Sequence, residues 1–405
     1  MSFKDLNLQQ EIHRAIEEAG YSIPTPIQEK AIPKILSGFN LRVSAQTGTG
    51  KTAAFILPAL NRLTTPSGQR HRGPRILILV PTRELAIQVS AEAMKFSKYL
   101  PKVKTVCIYG GAPYPPQNRQ LSGPYDILVA TPGRLIDHLE RQRVNLSHVE
   151  MLILDEADRM LDMGFIKPVE QIAADAAPST RQTLLFSATM TKNILNLSKK
   201  LMGESMEINT APKHAKHENI EQRLYYVDDL YHKYRILDHL LSDPIIKQVI
   251  VFTSTKRFAD ELVDGLCERG YSAAALHGDM NQMQRTRTIV RLRNEEIRIL
   301  VATDVAARGI DIQTISHVIN FDLPNNTEDY VHRIGRTGRA GANGIALSFA
   351  AHKDRQVIMQ IEQFIGQPIT PFVIPGLEPS ARLSSRPSFS NRRDHDQQRF
   401  QSRRR

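Results

Sequence analysis

Short apolar runs rich in β-branched residues alternate along the chain with longer segments of helical period, which is the pattern of parallel sheets covered by helices. The first series predicts strands at residues 41–45, 76–80, 105–109, 127–130, 151–154 and 183–186. A second series at 249–252, 272–276, 299–301, 317–319 and 345–349 repeats the rhythm. Between them, residues 210–219 hold a proline and no apolar run, and read as a linker. Ahead of the first strand, Leu8, Ile12, Ile16 and Ala19 recur at helical spacing up to Gly20. They predict a helix that ends at the glycine and packs on the first domain.

The length of 405 residues exceeds one typical domain, and 41% hydrophobic content suffices for packed cores. The expected fold is therefore α/β, with two tandem domains, each a parallel sheet covered by helices on both faces. Residues 1–29 would pack on the first domain at 30–209, followed by the linker 210–219, a second domain at 220–378 and a tail at 379–405. The formal charge of +11 predicts attraction to a polyanion, without separating nucleic acid from an anionic membrane surface or simple solubility. The opening residues form neither a signal nor a transit peptide, and no apolar stretch approaches the ~18 residues that would span a bilayer. These features predict a cytoplasmic protein away from membranes. Cys107 and Cys267 lie far from any metal-ligand spacing and are expected to be buried, unreactive thiols.

Candidate chemistry begins where the first strand ends. Ala45 and the run Gln46, Thr47, Gly48, Thr49, Gly50, Lys51, Thr52 follow a strand and precede a helix. In that order, backbone N–H groups can cradle phosphates, with Lys51 on the β/γ-phosphates and Thr52 on Mg²⁺. Ala45 stands where the strict pattern has glycine, which leaves an ordinary glycine-rich turn as the alternative. Asp155, Glu156 and Asp158 emerge from the end of the apolar run 151–154. Asp155 suits Mg²⁺ held through water and Glu156 suits orienting or deprotonating the attacking water, whereas Asp158 alone could be a helix cap. Strand-end residues Arg83, Gly111, Thr131 and Arg134, matched later by Thr253, Gln282, Arg285 and Thr303, suit a phosphate backbone.

Asp155-Glu156-Ala157-Asp158 and the motifs around it resemble the DEAD-box family of ATP-dependent RNA helicases, in family order across essentially all of residues 1–378. The chain most closely resembles the RhlE-type bacterial members, through its short lead, the segments 155–165 and 304–312, and its basic tail. The resemblance implies two RecA-like domains and an RNA-dependent ATPase. It assigns Phe3, Tyr21 and Gln28 to the adenine, with the Gln28 carboxamide reading N6 and N7 between aromatic faces. It also implies Arg336 and Arg339 as arginine fingers, His332 as their link to the acids, and Asp311 on the ribose. Ser187 and Thr189 would bond Asp158 and couple nucleotide state to RNA.

Domain closure on ATP would bend one RNA strand near residues 159–165, where most apolar side chains read as a packed helix face. Short duplexes would then separate locally, with release on hydrolysis. An ATP-gated RNA clamp uses the same residues, and a DNA translocase of the wider superfamily is the more distant alternative. The family further implies a monomer with ribosome-assembly or RNA-decay partners.

Residues 379–405 carry eight Arg against two Asp, a net of +6 and more than half the charge of the chain. Poor in apolar residues and rich in Ser, Arg and Gln, they read as a disordered basic tail. Truncation after Glu378 is expected to weaken RNA binding and to flatten its salt dependence, measured by titration over a range of ionic strength.

Overall fold

The predicted runs are continuous rather than alternating because each strand is covered on both faces. The computed structural model describes residues 2–45, 48–66, 73–176, 181–209, 219–307, 312, 314–338 and 342–380. In the first lobe the strands are β1 (Leu41–Ser44), β2 (Ile76–Leu79), β3 (Thr105–Ile108), β4 (Ile127–Ala130), β5 (Met151–Leu154), β6 (Gln182–Ser187) and β7 (Met206–Asn209). The second lobe contains β8 (Ile220–Val227), β9 (Val249–Phe252), β10 (Ala273–Leu276), β11 (Ile299–Ala302), β12 (His317–Asn320), β13 (Gly344–Ala351) and β14 (Thr370–Phe372).

All pairings are parallel. The orders are β3-β4-β2-β5-β6-β1-β7 and β10-β11-β9-β12-β13-β8-β14. Counted from its own first strand, each sheet has the same order, so the second half of the chain repeats the topology of the first. In β2, Ile76 and Ile78 enter one apolar cluster while Leu77 and Leu79 enter another on the opposite face. Strand β9 divides likewise, Val249 and Val251 against Ile250 and Phe252.

Three strands go beyond the sequence pattern, and each lies at or beside a sheet edge. In β7 only Ile208 is buried; β14 contains Pro371, which an edge strand tolerates because its N–H side need not pair. Strand β8 carries Glu221, Gln222 and Arg223 among its apolar residues, which hides the run. The expected linker residues 210–218 and the tail from 381 lie outside the described residues.

The leading helix, Gln10–Glu18, buries Ile12 and Ile16 in the same cluster as Phe96 and Leu60 of the first lobe, and Gly20 follows it at φ +79°. Cys107 is half-buried, packed against the first lobe's core, and desolvation pushes its thiol up to about 12. Cys267 departs from expectation: it is exposed, on the outer side of helix Lys256–Glu268. Among the described residues no helix is long and apolar enough to cross a membrane.

The turn after helix Thr327–Ile334 is pinned to the sheet. The Thr337 hydroxyl donates to the carbonyls of Ile315 and Ser316 at 2.8 and 2.9 Å. Gly338 sits at φ +66°, where a Cβ would lie 2.7 Å from Cγ1 of Ile220. Gly338→Ala is expected to destabilise the second lobe by about 2–4 kcal/mol, the sum of left-handed strain and overpacking, read as a lower urea midpoint.

Candidate active site

Strands β5, β6 and β1 are neighbours. Their carboxyl ends therefore bring together three loops that lie far apart in sequence, at the place where open α/β sheets bind ligands. After β1, Gly48 and Gly50 adopt φ of +82° and +88°, and Gly50 caps the helix Lys51–Leu63. Ala45 replaces the first glycine at no cost, because its N–H extends the β1–β6 ladder to the Ser187 carbonyl at 3.0 Å. Gln46 and Thr47 lie outside the described residues. Lys51 is 7% exposed, and its ammonium has no hydrogen-bond partner among the described residues. A buried cation left in that state is costly unless an anion arrives.

After β5, Asp155 is 2% exposed, with Oδ1 accepting from the Glu156 N–H at 3.0 Å. Burial pushes its carboxyl up to about 6, Lys51 pulls it down, and the charges of Glu156 and Asp158 push it up again. Glu156 is buried in a left-handed conformation, φ 51° and ψ 51°, at the start of helix Ala157–Asp162. A non-glycine residue held there stores local strain of about 1–2 kcal/mol and turns its carboxylate out of the strand direction. Asp158 is no simple cap. Its Oδ2 accepts from the N–H groups of Ala188 and Thr189 at 2.9 and 3.1 Å, and from the Thr189 hydroxyl at a long 3.5 Å. Ser187 departs from expectation, since its hydroxyl donates to the Thr189 carbonyl at 2.7 Å instead.

The adenine-reading residues are placed unequally. Phe3 is 4% exposed and belongs to the core, so packing consumes its ring; Tyr21 stays 36% exposed, edge-on to Phe96. Gln28 is buried against the glycine loop. Its Oε1 accepts from the Thr25 N–H at 2.9 Å and its Nε2 donates to the Gly50 carbonyl at 3.1 Å, so this side chain supports the loop directly.

On the second lobe, Arg333 is 2% exposed and donates to both carboxylate oxygens of Asp304, at 2.6 and 2.8 Å. This fixes the segment carrying His332 and Arg336. Arg336 is 5% exposed, with Nε donating to the His332 carbonyl at 3.2 Å. His332, Arg336, Asp304 and Asp329 line a small cavity whose first-lobe wall is Arg159. Arg159, the residue that follows the acid box, therefore meets the arginine segment across the cleft. Asp311 and Arg339 lie outside the described residues.

The rest of the sheet edge, β3-β4-β2 in one lobe and β10-β11-β9 in the other, carries the second set of residues. Thr82, Arg83, Gly111, Thr131 and Arg134 face Arg285 across a groove of about 540 Å³, which Met163 and Phe165 also line. Gly111 sits at φ +75°, a left-handed conformation that a side chain would strain, against the Arg83 guanidinium. The Thr131 hydroxyl accepts from the Gly110 N–H, and Arg134 donates to the Ala112 carbonyl over the Tyr114 ring. Thr253 is buried and Thr303 half-buried at their strand ends.

Two residues expected to touch RNA are engaged across the lobes. Arg285 is buried, donating to Glu84 Oε1 from Nε and Nη2 at 3.1 and 2.8 Å, and Gln282 accepts from Arg83 at 2.9 Å. Glu84 and Arg159 were missed as functional residues. Adjacency to the acid box was the only signal for Arg159; Glu84, which lies 201 residues from its partner, had none.

A site divided this way suits a nucleoside triphosphatase that works by closing, since the phosphate cradle and the arginines belong to different lobes. Comparison with known proteins agrees. Residues 25–197 match the DEAD/DEAH box helicase family, and residues 232–341 match the helicase conserved C-terminal domain. The DEAD-box ATP-dependent RNA helicase RhpA of Helicobacter pylori is 42% identical over 374 residues, covering 92% of this chain and 74% of RhpA. ATP-dependent RNA helicase RhlB of Pseudomonas syringae is 44% identical over 373 residues, covering 91% of this chain and 94% of RhlB. Among solved structures, Saccharomyces cerevisiae Dbp5 bound to RNA and ADP BeF3 superposes with a TM-score of 0.83 at 31% identity, covering 92% of this chain and 95% of that one. The chain belongs to the DEAD-box family of ATP-dependent RNA helicases.

Asp155 makes the free site pH-sensitive. Its raised folded-state value means that the folded form holds the proton between about pH 4 and 6, where the unfolded chain releases it, so stability falls as pH rises through that window. Asp155→Asn is expected to stabilise the nucleotide-free protein by about 2–3 kcal/mol at pH 8, with the gain vanishing near pH 4, in urea unfolding at both pH values.

Proposed function

We propose that this helicase hydrolyses ATP by closing its two lobes on RNA, bends one strand, separates short duplexes locally and releases the RNA after hydrolysis. The observation that carries the reading is the division of charge: Lys51, Asp155 and Glu156 are buried on one lobe, His332 and Arg336 belong to the other, and Arg159, next to the acids, lines a cavity with His332 and Arg336. Lys51 would hold the β/γ-phosphates on the glycine loop. Glu156 would orient and deprotonate the attacking water, while Arg336 and Arg339 would stabilise the charge that develops on the transferred group. Tyr21 and Gln28 would read adenine, and Asp311 the ribose.

Thr52 and Asp155 would hold Mg²⁺, largely through water. The raised Asp155 supports this fit, since three crowded carboxylates at a buried strand end favour a cation. When bound, the ion would neutralise phosphate charge. Among the described residues no cluster of three or more His, Cys, Asp or Glu is arranged to cage a metal.

RNA would lie along the second edge, its phosphates held by Arg83, Gly111, Thr131 and Arg134 on one lobe and by Thr253 and Thr303 on the other, without reading sequence. Arg285 and Gln282 act in this reading by fastening the lobes, which shapes the groove. The domain limits are 30–209 and 220–378, joined by 210–219, with the lead 1–29 on the first domain and the basic tail 379–405 adding RNA affinity. We further propose an RhlE-type bacterial member, monomeric and cytoplasmic, working with ribosome-assembly or RNA-decay partners.

ATP hydrolysis with and without RNA, for the parent and Glu156→Gln, tests the reading. RNA is expected to stimulate the parent strongly, while the variant loses about 10²-fold or more in turnover and keeps ATP-dependent RNA binding. Parent-like turnover in the variant would overturn the role of Glu156. Stimulation without duplex separation in the parent would favour an ATP-gated clamp.

A further inference from the structure

Arg159 is a feature that the proposed mechanism leaves unused. It is among the largest fully buried side chains, 1% exposed, on the short helix Ala157–Asp162. Its Nε, Nη1 and Nη2 have no hydrogen-bond partner among the described residues. The ion pair that the structure records for it runs from Nε to Glu156 Oε2 at 3.4 Å, an i,i+3 contact that sets the guanidinium beside the carboxylate. On its far side the same guanidinium forms the first-lobe wall of the cavity lined by Asp304, Asp329, His332 and Arg336 of the second lobe.

Burying an arginine in this way is expensive, and an apolar side chain of similar length would be the more stable occupant. The position instead keeps a fixed charge between one carboxylate of its own lobe and two of the other. Asp304 is committed to Arg333, and Asp329 accepts from Asn326 at 2.9 Å, so both carboxylates are held in place in a wall that also carries Arg333 and Arg336. Lysine could not serve equally, because a point charge cannot span both sides as a planar fork does.

We propose that Arg159 is a positioning residue for hydrolysis: it fixes the Glu156 carboxylate when the second lobe's Asp304 and Asp329 close over it, making the orientation of the base depend on lobe closure. The proposal rests on the reading of Glu156 as the group that orients the attacking water. It acts through Glu156 and the opposing acids and needs no contact with the nucleotide.

Steady-state ATPase with saturating RNA, together with urea unfolding, tests it in the full chain for Arg159→Met, Arg159→Lys and Glu156→Gln. Arg159→Met is expected to lower kcat about 10-fold or more, to leave KM for ATP within about twofold, and to unfold at an equal or higher urea midpoint. Arg159→Lys should recover part of kcat. In a double-mutant cycle with Asp329→Asn, the losses in kcat should be less than multiplicative. An unchanged kcat in Arg159→Met overturns the proposal alone, as does a loss of activity that only follows a loss of stability, or multiplicative losses in the cycle. Retained turnover in Glu156→Gln overturns the reading of Glu156, and the proposal with it.

Discussion

At the carboxyl ends of β1, β5 and β6 the first lobe holds Lys51, Asp155, Glu156 and Asp158, each less than a tenth exposed. Three carboxylates against the Lys51 ammonium and the Arg159 guanidinium leave negative charge that the lobe does not balance by itself. The cost appears in the elevated Asp155 and in the Lys51 ammonium, which lacks a hydrogen-bond partner among the described residues. A phosphate chain would give the Lys51 ammonium its partner, and closure by the second lobe would bring arginine charge of the sign that the carboxylates lack.

The sheet order turns this local imbalance into a machine with two edges. Neighbouring β5, β6 and β1 gather the nucleotide loops, and neighbouring β3, β4 and β2 gather the loops facing the groove. Asp158 ties two of the nucleotide loops together by accepting from Ala188 and Thr189, so the acid box and the end of β6 move as one piece. The second lobe repeats the order but uses the helix after β12 for its arginines, with Arg333 locked on Asp304 to keep that helix in register. One topology used twice thus presents a phosphate cradle on one side of the cleft and fixed cations on the other.

Closure has its own polar fastening. Arg285 and Glu84 form a buried pair between the lobes, and Arg83 donates to Gln282 beside it. A charge pair that is desolvated on closing contributes little net stability, yet losing one partner is costly, so it selects one closed geometry over others. It also lies beside the groove. Residues that line the groove are therefore also residues that join the lobes.

Much of this was legible in the sequence. Periodicity located eleven strands because buried parallel strands are apolar along their length, as at 76–79 and 151–154. The glycine loop and the acids were legible because strand–loop–helix chemistry is local, and their order along the chain identified the family. The edge strands β7 and β14 and their neighbour-to-the-edge β8 were not legible, since a partly exposed strand carries the polar residues of a loop.

Nor could spacing show that Phe3 is buried in the core, that the Ser187 hydroxyl turns to the Thr189 carbonyl, or that Arg285 reaches Glu84 across the lobes. The sequence by itself determined which loop each functional residue occupies, because secondary structure follows from short-range periodicity and backbone freedom. Only the tertiary structure decided which charge meets which, because the partners of Arg285, Arg333 and Asp158 come from segments that the sheet order and the lobe contact bring together.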